Sequence, residues 1–233
     1  MRQPVTICIL AVWASSVSAA KLPIIAHWSF DKDQGTTTLL DSGANKLDVP
    51  LVPADTGEKV KTVKGIVGQA LELTGKEKAV FSLTNKKLNI KAPFTIACWV
   101  RIKNAIQADN SIFINTSRTG KDGYRLFVNW RMFFYRWGDG TQINSTYASI
   151  LLDKWYHLAV TNDGKTKKIY VNGSLDKSEK SDNSQPAVNY ESCGIGNYFG
   201  TERNRFIGLM DELCILGKAL SDDEVFDLAA KQD

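Results

Sequence analysis

Ten short apolar segments recur along the chain about every ten residues, each closed by Gly, Asn, Asp or Lys. They read IIAHWSF, QALELTG, FTIACWVRI, SIFINTS, YRLFVNW, MFFYRW, WYHLAVTND, KKIYVNGS, SCGIGNY and DELCIL. Runs of this length are strands, and their regular punctuation by turn residues predicts an all-β chain built as a two-sheet antiparallel jelly-roll sandwich. Two turns are specific: Asp163-Gly164 lies between two alternating runs, and Asp139-Gly140 follows a third. Only the C-terminus carries a helical pattern. In LSDDEVFDLAAKQ, Ser221 is placed as N-cap, Glu224 completes a capping box, and Val225, Leu228 and Ala229 form one apolar stripe.

The first twenty residues, MRQPVTICILAVWASSVSAA, have a charged start at Arg2, an apolar stretch from Val5 to Ala14 and small residues before Lys21. This is the layout of a secretory signal peptide, with an apolar stretch too short to span a bilayer. Residues 1–20 are therefore expected to be removed, leaving one domain over 21–233 in a secreted or periplasmic setting, with no membrane insertion. The formal charge of +4 falls to +3 when Arg2 is lost. The lysines are scattered, which gives no nucleic-acid footprint. KEK at Lys76–Lys78 and KTKK at Lys165–Lys168 read as solvated turns. Cys98, Cys193 and Cys214 remain after processing, so at most one intramolecular disulfide bond can form. Asn115, Asn144 and Asn172 each open an N-glycosylation tripeptide.

AHWSFD, DSGANKLD, VGQALELTG, FTIACWVRI, KWYHLAVTNDG, KIYVNGS, GIGNY and FIGLMDELCILGKALSDDEV occur in one order along the chain. In that order and spacing the chain resembles the laminin G-like (concanavalin A-like) jelly-roll domains of secreted proteins. The resemblance covers nearly all of residues 21–233. It implies two face-to-face antiparallel sheets, first and last strands side by side, and binding in place of catalysis. It also implies a place for a structural calcium. Asp31 follows the first strand, Asp41 and Asn45 lie in the loop DSGANKLD, and Asp211 opens the last strand, so hard oxygen donors could converge there. The alternative is that Asp41 and Asn45 only form turns and Asp211 only caps a strand.

The same architecture carries glycoside hydrolases, which aim two carboxylates at one glycosidic bond. No strand here has an E-x-D-x-E arrangement, and SDDEV (Ser221–Val225) and Asp211-Glu212 read as helix cap and closing strand. With only His27 and His157, and no His-x-x-x-His or Gly-x-Ser-x-Gly, metalloprotease and serine-hydrolase chemistry lack their parts. His157, in WYHLAV, reads as a structural histidine.

GYRLFVNWRMFFYRWGDG holds seven aromatic residues between Gly123 and Gly140. A period of two sends Tyr124, Leu126, Val128, Phe133, Tyr135 and Trp137 inward and leaves Arg125, Phe127, Asn129, Phe134 and Arg136 on the outer face. Those five side chains either bind a sugar by stacking and charge-assisted hydrogen bonds or cover the sheet as a cross-strand aromatic pair. The expected function is an exported noncatalytic module for carbohydrate or a cell-surface partner. A jelly-roll glycoside hydrolase or polysaccharide lyase, and a protein-interaction scaffold, are the alternatives.

Overall fold

The computed structural model describes residues 22–53, 56–104, 109–116, 123–137, 141–180, 193–197 and 204–230. The signal segment, Asp139-Gly140 and Ser117 of the first glycosylation tripeptide lie outside the described residues. In chain order the first strands are β1 (Ile24–Trp28), β2 (Thr38–Leu39), β3 (Val49–Val52), β4 (Thr62–Lys64), β5 (Gln69–Leu73), β6 (Val80–Leu83), β7 (Phe94–Ile102) and β8 (Asn110–Asn115). They continue with β9 (Tyr124–Asn129), β10 (Met132–Trp137), β11 (Thr141–Asn144), β12 (Trp155–Asn162), β13 (Thr166–Val171), β14 (Ser174–Lys180), β15 (Cys193–Ile195) and β16 (Gly208–Leu216). One helix, α1 (Asp222–Ala230), follows.

Two eight-stranded antiparallel sheets result. The first runs β14-β13-β12-β7-β16-β5-β4 with β1 added against β16, and the second runs β11-β10-β9-β8-β15-β6-β3-β2. The first and last strands pair, as the resemblance implied: His27 lies opposite Cys214 and Trp28 opposite Leu213. Between the sheets sits the main core, where Phe94 meets Tyr135 edge-on at 6.2 Å and Trp28 meets Phe113 at 5.9 Å. A smaller core lies on the outer face of the first sheet, where Val225 and Leu228 of α1 cover Ala97, Ala159, Tyr170 and Cys214. The helix starts with the expected capping box. The Glu224 amide donates to Ser221 Oγ at 3.2 Å, and the Ser221 amide donates to Glu224 Oε2 at 3.0 Å.

Several strands carry no apolar alternation. In β14, SLDKSEK, every residue is exposed or half-buried; this is an edge strand, held by its backbone ladder to β13. β2, β3, β4 and β6 are two to four residues long, too short for periodicity to register. A three-residue 3-10 helix at Lys86–Leu88 adds to the helical content. KTKK is not a solvated turn throughout: Lys167 belongs to β13 and is fully buried, its ammonium 3.3 Å from the centroid of the Trp137 ring. The turn is confined to Asp163-Gly164-Lys165, where the Asp163 carboxylate accepts the amides of Lys165 and Thr166.

Cys98, Cys193 and Cys214 are free, buried thiols. Cys98 points into the main core and Cys214 into the smaller one, so neighbouring strands hold them on opposite faces of one sheet, while Cys193 belongs to the other sheet. Burial pushes the Cys193 and Cys214 thiols up to about 12, which keeps them protonated and inert.

Tyr135→Ala is expected to cost about 3–5 kcal/mol, because a fully buried ring leaves a cavity; denaturant melts read this directly. Truncation before Phe206 removes β16 and the pairings with β1, β5 and β7 that it supplies. Loss of the cooperative transition is the expected result.

Candidate functional site

The register of the aromatic run is as the period of two demands. Phe133, Tyr135 and Trp137 enter the main core with Tyr124, Leu126 and Val128. On the outer face, Arg136 lies opposite Arg125 and Phe134 opposite Phe127. The two phenyl rings are nearly coplanar in orientation, 4° apart, with centroids at 4.8 Å. The Arg125 guanidinium carbon sits 4.0 Å from the Phe127 centroid and that of Arg136 5.8 Å.

These groups are engaged with one another. Arg125 pairs with Asp109, Asn129 Nδ2 donates to Asp109 Oδ1 at 2.8 Å, and the Arg136 Nε and Nη2 donate to Gln142 Oε1 at 3.1 and 2.8 Å. Arg125, Phe127 and Phe134 are buried, and only Asn129 and Arg136 are half-exposed. The five expected ligand residues therefore do come together, but as a packed cation-aromatic layer that offers no open ring to a sugar.

The four expected calcium donors divide into two places. Asp41 spends both carboxylate oxygens on its loop and β1: Oδ1 accepts the amides of His27 and Gly43, at 2.9 and 2.7 Å, and Oδ2 accepts the Leu47 amide at 2.8 Å. Asn45 donates to the Ile25 carbonyl and accepts from Lys87 Nζ. Asp31 and Asp211 meet elsewhere, around the 65–68 turn. There Asp211 Oδ2 accepts the amides of Ile66 and Val67 at 2.9 and 3.1 Å, and Asp31 Oδ1 accepts the Gln69 amide at 2.8 Å. Gly65 and Gly68 are required in this turn, because a Cβ on either would collide with one of the two carboxylates. Calcium takes six to eight oxygens. Asp41 and Asn45 have theirs committed, and among the described residues no group of three or more His, Cys, Asp or Glu side chains is placed to hold a metal ion. Asp41 and Asn45 are thus tied to one part of the fold and Asp31 and Asp211 to another, so the four residues are not gathered around one point.

Burial pushes the Asp211 carboxyl up to about 8; Glu212 and Asp31 add repulsion, and the amides of Val67 and Ile66 pull the other way. Around Asp211 the structure assembles a row that strand periodicity alone does not reveal. His157, Trp99 and Asp211 lie opposite one another across β12, β7 and β16, with the His157 and Trp99 rings 5.4 Å apart. Glu212 sits in a β-bulge at φ 52 and its Oε2 is 2.8 Å from His27 Nε2. Trp99 Nε1, His157 Nδ1, Asp211 Oδ1 and Glu212 Oε1 are buried with no hydrogen-bond partner among the described residues. Burial lowers His157 to about 3, so the imidazole is neutral.

Open aromatic surface lies instead at the rim. Trp130, in the turn between β9 and β10, is 55% exposed, and Tyr147, in the loop after β11, is 72% exposed. The Ile150 amide donates to the Arg131 carbonyl at 3.0 Å and Arg131 Nε donates to the Ile150 carbonyl at 3.3 Å, which ties that loop to the turn. Trp130 was legible in the sequence as a member of the aromatic run, but nothing in the pattern separates a ring at a turn from a ring in a strand.

A laminin G-type family profile, described as the concanavalin A-like lectin/glucanases superfamily, matches residues 75–226. Among solved structures the chain is similar to domain 4 of a GH43 extracellular arabinanase from Geobacillus stearothermophilus, in complex with arabinotriose. The TM-score is 0.69 at 22% identity, over 90% of this chain and 100% of that one. It is also similar to the binding domain of Paraclostridial Mosquitocidal Protein 1, with TM-score 0.67, 18% identity and 89% of this chain covered. The botulinum neurotoxin serotype G binding domain gives TM-score 0.67 at 19% identity over 88% of this chain. The chain spans about half the length of the two toxin domains, 52% and 50%. No curated protein matches it.

The raised Asp211 carboxyl sets a pH dependence. In the unfolded chain it ionises near its ordinary 3.8, whereas in the fold it stays neutral to about 8. Its contribution is therefore full below pH 4 and is lost as pH rises through 8. Asp211→Asn is expected to gain melting temperature relative to the parent chain progressively between pH 4 and pH 8, by several degrees at the upper end. Thermal melts at intervals across that range read the difference, and a constant offset would contradict a neutral Asp211.

Proposed function

The chain belongs to the concanavalin A-like lectin/glucanases superfamily, and on that premise we propose that it is an exported, noncatalytic module that binds carbohydrate. The observation that carries the reading is the distribution of chemistry between surface and interior. Large aromatic rings stand open at the rim, at Trp130 and Tyr147, while the adjacent acids of the last strand, Asp211 and Glu212, are buried. Exposed rings stack on the apolar faces of sugars, which sequence-tolerant polysaccharide binding exploits. Glycoside hydrolysis needs two carboxyl groups flanking an accessible glycosidic bond, about 5–9.5 Å apart. Asp211 and Glu212 are turned to backbone amides and His27.

The similarity to an arabinanase domain in complex with arabinotriose supports a carbohydrate ligand. The toxin binding domains support the broader class of binding modules for cell-surface partners. Export rests on residues 1–20, whose pattern is that of a cleaved leader.

The test is a glycan and polysaccharide array probed with residues 21–233, run with and without calcium, alongside an assay for released reducing ends on every polysaccharide that binds. Retention on a subset of glycans without release of reducing ends is the expected outcome. Failure to retain any glycan, or turnover of a bound one, would overturn the reading.

A further inference from the structure

Among the described residues, two hairpins close through two-residue turns with both central residues at positive φ, the geometry of a type I′ turn. Between β13 and β14, where Val171 lies opposite Ser174, the turn is Asn172-Gly173, with φ 51 and 77. That pair is the most favourable chemistry for the conformation, since glycine has no Cβ and asparagine tolerates the left-handed region. Between β9 and β10, where Asn129 lies opposite Met132, the turn is Trp130-Arg131, with φ 48 and 59. Here the same backbone holds two large side chains, for which the left-handed region is strained. The Trp130 amide is held by Asn129 Oδ1 at 2.8 Å, but the ring makes no compensating burial, being 55% exposed. The left-handed conformation favours neither side chain.

The surroundings indicate what they serve. Arg131 is fixed by its Nε bond to the Ile150 carbonyl, and its two terminal amino groups make no hydrogen bond or ion pair among the described residues. A guanidinium anchored in this way keeps the bidentate edge that pairs with a carboxylate. The loop tied to it through Ile150 carries Tyr147, 72% exposed, followed by Ala148, itself at φ 58. The second sheet thus carries two open rings on backbone-linked loops, and the Arg131 guanidinium, whose terminal amino groups have no partner among the described residues, makes one of the bonds that link them.

We propose that Trp130, Arg131 and Tyr147 form a binding site for an acidic sugar, with the rings stacking on the sugar faces and Arg131 pairing the carboxylate of a uronate unit. The site gives a location and a ligand class to the carbohydrate-binding reading and rests on it. Charge selects the ligand: a neutral sugar would satisfy the rings but leave the guanidinium with water alone.

The experiment uses residues 21–233 and two probes of the same backbone, polygalacturonate and its methyl-esterified form, in affinity electrophoresis or calorimetry. The expected result is preference for the free acid by at least about tenfold at low salt, falling as salt rises. Arg131→Gln should erase the preference, and Trp130→Ala and Tyr147→Ala should each weaken binding to both probes by about tenfold or more. The double variant Trp130→Asn with Arg131→Gly installs the turn chemistry of the other hairpin. It should melt at a higher temperature than the parent while losing binding, a combination that a merely structural role for these side chains would not give.

Equal affinity for both probes, or a double variant that binds as the parent does, overturns the site. So does a double variant that melts lower than the parent. If the array finds glycans bound yet none of these variants changes the affinity, the site is wrong and the carbohydrate reading stands. If the parent binds no glycan at all, both fall.

Discussion

All nine residues of β16 are buried, and this one strand carries hydrogen-bonded partners on both edges: β7 along one side, β1 and β5 sharing the other. β5 pairs with Gly208–Met210 and β1 with Leu213–Leu216, and the bulge between Asp211 and Cys214 lies where one partner gives way to the other. Glu212 takes the left-handed conformation there, a costly one for a carboxylate-bearing side chain in a sheet interior. Its contact with His27 of β1 holds the bulge to the strand that the bulge makes room for. The same strand seats α1 through Cys214 and Leu216 and captures the 65–68 turn through Asp211.

That arrangement has a chemical consequence. The acids nearest the middle of the first sheet are used to fold it, so burial and mutual repulsion keep Asp211 neutral instead of leaving it available as an anion. The second sheet shows the same economy on its outer face. Phe127 and Phe134 stack, Arg125 lies on the stack, and Asp109 takes up the guanidinium and the Asn129 amide. A sheet face finished in this way has covered its own rings and tied both of its guanidinium groups to neighbouring side chains. The rings left open, Trp130 and Tyr147, lie in turns and loops, where side chains are not needed to close the core.

The strand pattern, the inward and outward register of the aromatic run and the capped helix were legible because each is a local periodicity that one face of burial enforces. β14 was not, since an edge strand whose residues are exposed or half-buried has no apolar face to announce it. Lys167 misleads for the opposite reason: its charge suggests solvent, but its stem runs inward and the Trp137 ring receives the ammonium. Asp41 was read as a candidate cation ligand from its loop, and the three amides that claim its oxygens come from residues two to fourteen positions away. A carboxylate facing amides and one facing a metal use the same sequence signal. Only the position of the donors separates them.

The two type I′ turns make the clearest case for separating what a residue does for the fold from what it does beyond it. Chain, sheet twist and loop length pose the same steric problem at both hairpins, and at Asn172-Gly173 it is solved at least cost. There the turn is also packed, since a Cβ on Gly173 would press against Ala229 and Phe226 of α1, so glycine is demanded by the helix as well as by φ. Trp130-Arg131 is tied to the loop after β11 through Arg131 and Ile150, leaves Trp130 55% exposed, and departs from the low-cost solution. Strain that no packing repays inside the protein is sustained by the over-determined strands on either side: β9 and β10 are held face to face across six consecutive residue pairs. A rigid hairpin can therefore carry a tryptophan where a flexible loop could not keep one oriented, and an oriented ring loses less entropy on stacking than a mobile one.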